Sequence, residues 1–336
     1  MMLYPEIPIP PRSEHLWRYT PWKRIHPTNV AEMPQSDAIK MALGTDSEME
    51  GSEEIGRSFI HSISNVCKEI ILSDESKELD LRCSGHICSG ELKIKSSGDS
   101  SLIIRISGDS GWTGIRVLGD VSGQLSVALI NDLSADCHLL RCEDWIVNRD
   151  SSLELSTLST GGFLVKSDIR IKLDQNGAEV RGGIASNGHG SRHDDHHVEI
   201  DHKVGHTQSS LVMHAACNDS SHSVGTGLLS IRDGADKSDA GQVFRNLLLS
   251  EKARAEAIPE LEVLADDVKA AHGAASAPID SNQLHYLQSR GLSGDEASSL
   301  IVEGFLMDAF RDIKNQDVIA SLRTRLLVHL ECLING

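Results

Sequence analysis

From about Glu78 to Ala265 the chain alternates apolar and polar residues in short runs separated by Gly, Ser, Asp and Asn. Glu91-Leu92-Lys93-Ile94-Lys95, Leu102-Ile103-Ile104-Arg105-Ile106 and Ile169-Arg170-Ile171-Lys172-Leu173 are representative. A period of two sends successive side chains to opposite faces, so each run reads as a strand with one face inward and one outward. Many short strands at this spacing suit a sandwich, a barrel or a β-helix, and periodicity alone does not choose among them. No helical pattern interrupts the runs, which disfavours a doubly wound α/β sheet.

The flanks differ. Residues 1–77 form an N-terminal segment that opens proline-rich and carries the aromatic stretch Glu14–Trp22, EHLWRYTPW, which reads as an anchor docked on the strand domain. The polar, acidic run ALGTDSEMEGSEE then reads as a mobile linker ahead of a short helix around Ile55 to Val66. With the β core assigned to 78–279, the tail 280–336 reads as a small antiparallel helical domain. Asp280 with Gln283 and Ser293 with Glu296 have capping-box spacing, and Gly291 suits a helix end. One apolar stripe is expected along Ala297, Leu300, Ile301, Phe305 and Ala309, another along Val318, Ile319, Leu322, Leu326 and Leu330.

Charge narrows the partners. The 336 residues carry a formal net charge of −17, which argues against nucleic acid or an anionic membrane as the main partner. Neither a secretory signal pattern nor an uncharged apolar stretch long enough to span a bilayer is present, and a soluble, cytoplasmic protein is expected. The 7 cysteines are dispersed and odd in number, so reduced thiols are expected. Cys83, His86 and Cys88, and again Cys137, His138 and Cys142, lack CxxC spacing. In strand-like sequence a separation of five sends the two thiols of each group to opposite faces, so buried free thiols are expected.

There is no GxxxxGK[ST] phosphate loop, no GxGxxG and no GxSxG elbow, so any ATP-driven role falls to a partner. Half of the 16 histidines lie between His189 and His222. The run His193-Asp194-Asp195-His196-His197, followed by His202 and His206, has donors suited to zinc or iron, while stacked polar ladders are the bland alternative. His272 stands alone in the small-residue stretch AAHGAAS, read as a loop between a strand and a capped helix.

The run Pro259–Gly291, PELEVLADDVKAAHGAASAPIDSNQLHYLQSRG, resembles the C-terminal core motif of the SufB/SufD family of iron-sulfur cluster assembly proteins, in its SufD-like branch. Matching positions include Ala265, Asp266, Asp267, Val268 and Lys269, then His272 and Gly273, then Tyr286, Leu287, Ser289, Arg290 and Gly291. The WRYT element at Trp17–Thr20 and the histidine run are similar to further family patterns, and the likeness is most specific over residues 190–310. The resemblance implies a mainly β fold, a right-handed parallel β-helix core with a short N-terminal segment and a small C-terminal α-helical domain.

It further implies a non-enzymatic scaffold that pairs with a SufB-like subunit, or with a second copy of itself, and docks a SufC-like ATPase through the tail. No tightly bound cofactor is implied. Iron or an iron-sulfur cluster would pass transiently through the partner interface, with His272 as candidate ligand and His202 and His206 as weaker alternatives. The cysteine two residues before the motif histidine is Ala270 here, and Arg245 stands where the SufB branch carries a thiol, so His272 is left as the motif residue suited to a metal. Two other readings stay open. One is a metal-dependent enzyme using His193, His196, His202 and His206; the other is a homodimeric SufC-binding platform without cluster chemistry.

Overall fold

A computed structural model describes residues 4–28, 30 and 33–335; Met1–Leu3 of the N-terminal segment and Gly336 of the tail lie outside the described residues. Long strands from Cys67–Ser73 to Lys269–Pro278 alternate between two sheets, of 10 and 9 strands, and pair in parallel with the strand one coil away. That is a parallel β-solenoid. The first sheet ends on Arg254–Val263 and the second on Lys269–Pro278. After three two-residue strands between Asp37 and Asp46, the long strands begin at Cys67, ahead of the alternation visible from Glu78, because in Cys67–Ser73 only Ile70 and Leu72 are buried. The coil lengthens along the chain: 25 residues separate Ser76 from Ser101, 29 separate Ser167 from His196, and 32 separate Ser230 from Glu262.

Inward side chains stack from coil to coil. Trp145, Ile171, Ile200, Leu229 and Leu261 occupy one register column, each lying over the last, with Gly119 beneath Trp145. A Cβ on Gly119 would meet the indole at 2.0 Å, so only glycine lets the ring lie flat on that coil. Each buried Ile or Leu in such a column is worth about 1.5–3 kcal/mol, and the solenoid is stabilised neighbour by neighbour.

Both outer faces are covered. On the first sheet the N-terminal segment lays Trp17, Trp22 and the helix Ile55–Ile63, with Phe59, against Trp112, Leu140 and Leu164. The expected anchor is therefore a docked aromatic cluster; Trp17 and Trp22 meet edge to face at 5.2 Å, and Trp112 Nε1 donates to the Ile25 carbonyl at 2.7 Å. The acidic run before the helix is tethered rather than mobile. Asp46 pairs with Lys68 at 2.7 Å, the Glu50 carbonyl accepts from Arg116 at 2.7 Å, and Glu54 meets Arg170 at 3.0 Å. Its charge pattern reads as solvated only while the basic residues of the sheet are out of view.

The tail helices Gly294–Met307 and Gln316–Asn335 pack on the outer face of the second sheet, burying Leu306, Phe310, Leu322 and Leu326 against residues such as Ile130 and Val212. The stripe expected through Leu300 is displaced. Leu300 is 49% exposed, and the buried face runs through Ala297, Val302 and Leu306. The second stripe is buried at Val318, Leu322, Leu326 and Leu330. Ser293 and Glu296 form the expected capping box, whereas Asp280 caps its helix by accepting from the Asn282 amide at 2.8 Å, not through Gln283.

Candidate functional site

The strand His193–His202 divides the histidine run between two faces. Val198 and Ile200 belong to the solenoid interior, so Asp194, His196 and His202 share the inward face while His193, Asp195 and His197 look outward. His206 sits on the following turn with φ 57° and is exposed. Among the described residues no group of three or more His, Cys, Asp or Glu side chains is placed to hold a metal ion. The metal centre that the alternative reading draws from His193, His196, His202 and His206 is therefore not assembled among the described residues: His193 faces outward, His196 and His202 lie at well-separated positions of the inward face, and His206 sits beyond the strand.

His193, His196, His197 and His202 each have protein partners instead. Both His202 ring nitrogens are engaged, with Thr207 Oγ1 at 2.7 Å and Ser209 Oγ at 2.8 Å, which leaves no free lone pair for a metal. His197 meets Thr226 Oγ1 at 2.8 Å. His193 Nε2 faces Thr20 Oγ1 of the WRYT element at 2.9 Å, and its Nδ1 faces His222 Nδ1 at 3.2 Å; His222 Nε2 in turn contacts Glu256. Burial pushes His193, His197 and His202 down to about 4, with Arg24 adding to the effect at His193, so all three are neutral at pH 7.

Ion pairs flank them on both sides of the sheet. Outside, Lys166 meets Asp195 at 2.9 Å beneath the Trp17 ring, and Arg57 pairs with Asp168. Inside, Arg192 Nε donates to Asp194 at 2.6 Å and Arg141 Nε to Glu143 at 2.5 Å, while the Trp145 indole donates to the other Glu143 oxygen at 2.7 Å. Burial raises the Asp168 and Asp194 carboxyls, but the arginines beside them outweigh it and hold both well below the usual carboxylate range. Nothing in the sequence pattern marks these pairs, since their partners lie two residues away, a full coil away or, for Arg57 and Asp168, 111 residues apart in the chain.

The last coil is different in kind. Arg254–Val263 and Lys269–Pro278 are the terminal strands of their sheets, each paired on one side only. His272 lies within the second of these strands and not in a loop. Its register partner is Gln242, an interior residue flanked by Ala240 and Phe244, so His272 sits on the inward face above the open mouth of the solenoid. It is exposed because no further coil covers it. Gln242 below is buried, and its Oε1 has no hydrogen-bond partner. Val263 and Leu264, 39% and 54% exposed, add apolar surface at the same end. Two 10-residue edges with unpaired backbone groups form a template for another β structure.

The family model for the SUF system FeS cluster assembly SufBD core domain matches residues 113–305, which span the coils from Trp112–Val121 to the open end and the first two tail helices. The chain belongs to the SufB/SufD family. Over 96% of its length it is 23% identical to an iron-sulfur cluster assembly SufBD family protein of Mycobacterium leprae, covering 90% of that protein. It is 31% identical to the SufD protein of Bacillus subtilis over 51% of this chain, and 28% identical to that of Escherichia coli over 64%. Those alignments span 39% and 52% of the two SufD proteins, so the likeness to them is to part of their length. It marks the chain as SufD-like.

The thiols of this SufD-like chain are buried apart from Cys67 and the exposed Cys332. Cys83 and Cys88 do not face opposite ways: both join the interior cluster, because a corner between two strands resets the alternation. Cys137 also points inward, whereas Cys142 lies outward beneath the N-terminal helix, as alternation predicts. Burial pushes Cys142 and Cys217 up to about 12, so neither offers a thiolate at neutral pH.

Proposed function

We propose that this chain is a non-enzymatic, cytoplasmic scaffold subunit of a SUF-type iron-sulfur cluster assembly complex. The observation that carries the reading is the open last coil, which sets His272 above the solenoid mouth between two unpaired strand edges. A SufB-like subunit pairs with these edges by extending the sheets, and a thiolate from that subunit joins the His272 imidazole on the iron being assembled. The cluster is cargo, held transiently. Family membership and the match to SufD proteins support the assignment, and in this reading ATP hydrolysis belongs to a separate SufC-like ATPase.

The tail offers that ATPase a surface which the chain's own packing leaves uncovered. Helix Ser281–Ser289 buries no residue, and Tyr286 and Leu300 are 57% and 49% exposed. The stripe through Leu322 and Leu326, by contrast, is spent on the second sheet.

His272→Ala tests the site. In a complex reconstituted with SufB-like and SufC-like partners, iron and sulfide assays are expected to show at least about a 10-fold loss of assembled cluster, with the complex still formed because His272 is exposed. Unchanged cluster in an intact complex would favour a platform without cluster chemistry.

A further inference from the structure

On the outer face of the first sheet, where the N-terminal segment meets the last coils, a cleft of about 540 Å³ is ringed by Arg24, Lys252 and Arg254. In a chain of net charge −17 most basic residues find a carboxylate, yet none of these three side chains makes an ion pair or hydrogen bond among the described residues. They arrive from two separate pieces of chain. Arg254 is the outward rung beside His222 and His193, which pair in register across neighbouring strands. Lys252 lies on the turn before it, and Arg24 is brought in by the short helix Trp22–Ile25. Ser191 and Ser220 add hydroxyls to the rim.

The carboxylates nearby do not cancel this charge. Glu256 is engaged by His222, and Glu251 is the one acid lining the cleft. The floor is rigid: His193 is 2% exposed and both its ring nitrogens are held, by Thr20 and by His222. Two guanidiniums, an ammonium and two hydroxyls lining one cleft supply the charge and the donors that a phosphate dianion takes up. The volume falls within the range of small-molecule pockets and exceeds the needs of a bare ion.

We propose that this cleft binds a phosphate group, either free or carried by a small molecule. A ligand seated there bridges Arg24 to Arg254 and so ties the N-terminal segment to the last coil, beside the open end. The site does not use His272 and needs no residue from a partner subunit, although Arg254 opens the edge strand Arg254–Val263.

Calorimetric titration of the full chain at constant ionic strength, with inorganic phosphate in one arm and glycerol phosphate in the other, tests it. Saturable binding is expected, weakened about 10-fold by Arg24→Gln and again by Arg254→Gln, and unchanged by Lys172→Gln elsewhere on the same sheet face. Tighter binding of the ester identifies an esterified ligand, and equal affinities identify free phosphate. Both arginines are exposed, so the variants are expected to fold; Lys252→Ala provides a second route should one of them not. Absence of saturable binding in both arms, or affinities untouched by the cleft substitutions, overturns the proposal.

Discussion

Lowering the pH from 6.5 towards 4 is expected to destabilise the middle coils steeply. His193, His197 and His202 are buried and titrate near 4 in the fold, against 6.5 for the free side chain. Between those values the unfolded chain takes up protons that the folded chain refuses, so stability falls as pH drops through this window and levels off below it. Each histidine contributes about 1.4 kcal/mol per pH unit, about 4 kcal/mol per unit for the three together. Asp168 and Asp194 extend the loss further down. Their carboxyls are held low in the fold, so the stability they give is present above the ordinary carboxylate range and disappears as pH falls through it and below. Because solenoid coils gain stability from their neighbours, the loss should be local. Hydrogen exchange at pH 5 is expected to quicken in His193–His202 well before Asp99–Gly108, and a urea midpoint unchanged between pH 7.5 and 5 would contradict the neutral, buried state of these rings.

Arg57→Ala is expected to cost about 3–5 kcal/mol, the scale for breaking one side of a buried ion pair. Arg57 is 3% exposed, pairs with Asp168, donates to Asp144 at 2.7 Å and reaches the Glu143 carbonyl at 3.0 Å. Removing it strands the Asp168 carboxylate under the N-terminal segment with only Arg170, at 3.3 Å, as counter-charge. The helix Ile55–Ile63 should then loosen from the sheet, with a red shift in the fluorescence of Trp17 and Trp22. The double substitution Arg57→Met with Asp168→Leu removes both charges and should recover most of the loss, since well-packed apolar replacements of such pairs are often neutral. A loss below about 1 kcal/mol for Arg57→Ala would show that the pair does not hold the segment down.

Much of the architecture was legible in the chain. Alternation in runs such as Ile169–Leu173 identifies strands because the inward rung must be apolar, and the Pro259–Gly291 motif selects the solenoid from the architectures that alternation allows. What was hidden depends on register between coils. Coil length drifts from 25 to 32 residues, so stacked pairs such as Ser76 and Ser101, 25 apart, His193 and His222, 29 apart, and Ser230 and Glu262, 32 apart, share no constant spacing that would mark them as neighbours. The parity argument failed for Cys83 and Cys88 because it assumed one continuous strand where a corner intervenes. His272 was read into a loop because AAHGAAS is rich in Ala and Gly, which are poor strand formers; pairing along Asp239–Leu248 overrides that preference. The tail stripe through Leu300 failed for a related reason. Helical periodicity gives the period, but which residues become buried is decided by the sheet against which the helix lies.

The proposed scaffold role requires the open last coil to act as a docking end, completed by another subunit. Sedimentation of this chain mixed in equal amounts with a SufB-like subunit and a SufC-like ATPase, at micromolar concentrations, tests it most directly. One complex containing all three chains is expected, in which hydrogen exchange slows along Arg254–Val263 and Lys269–Pro278. A chain that sediments alone, or a complex that leaves both edge strands exchanging as fast as in the free protein, would contradict it.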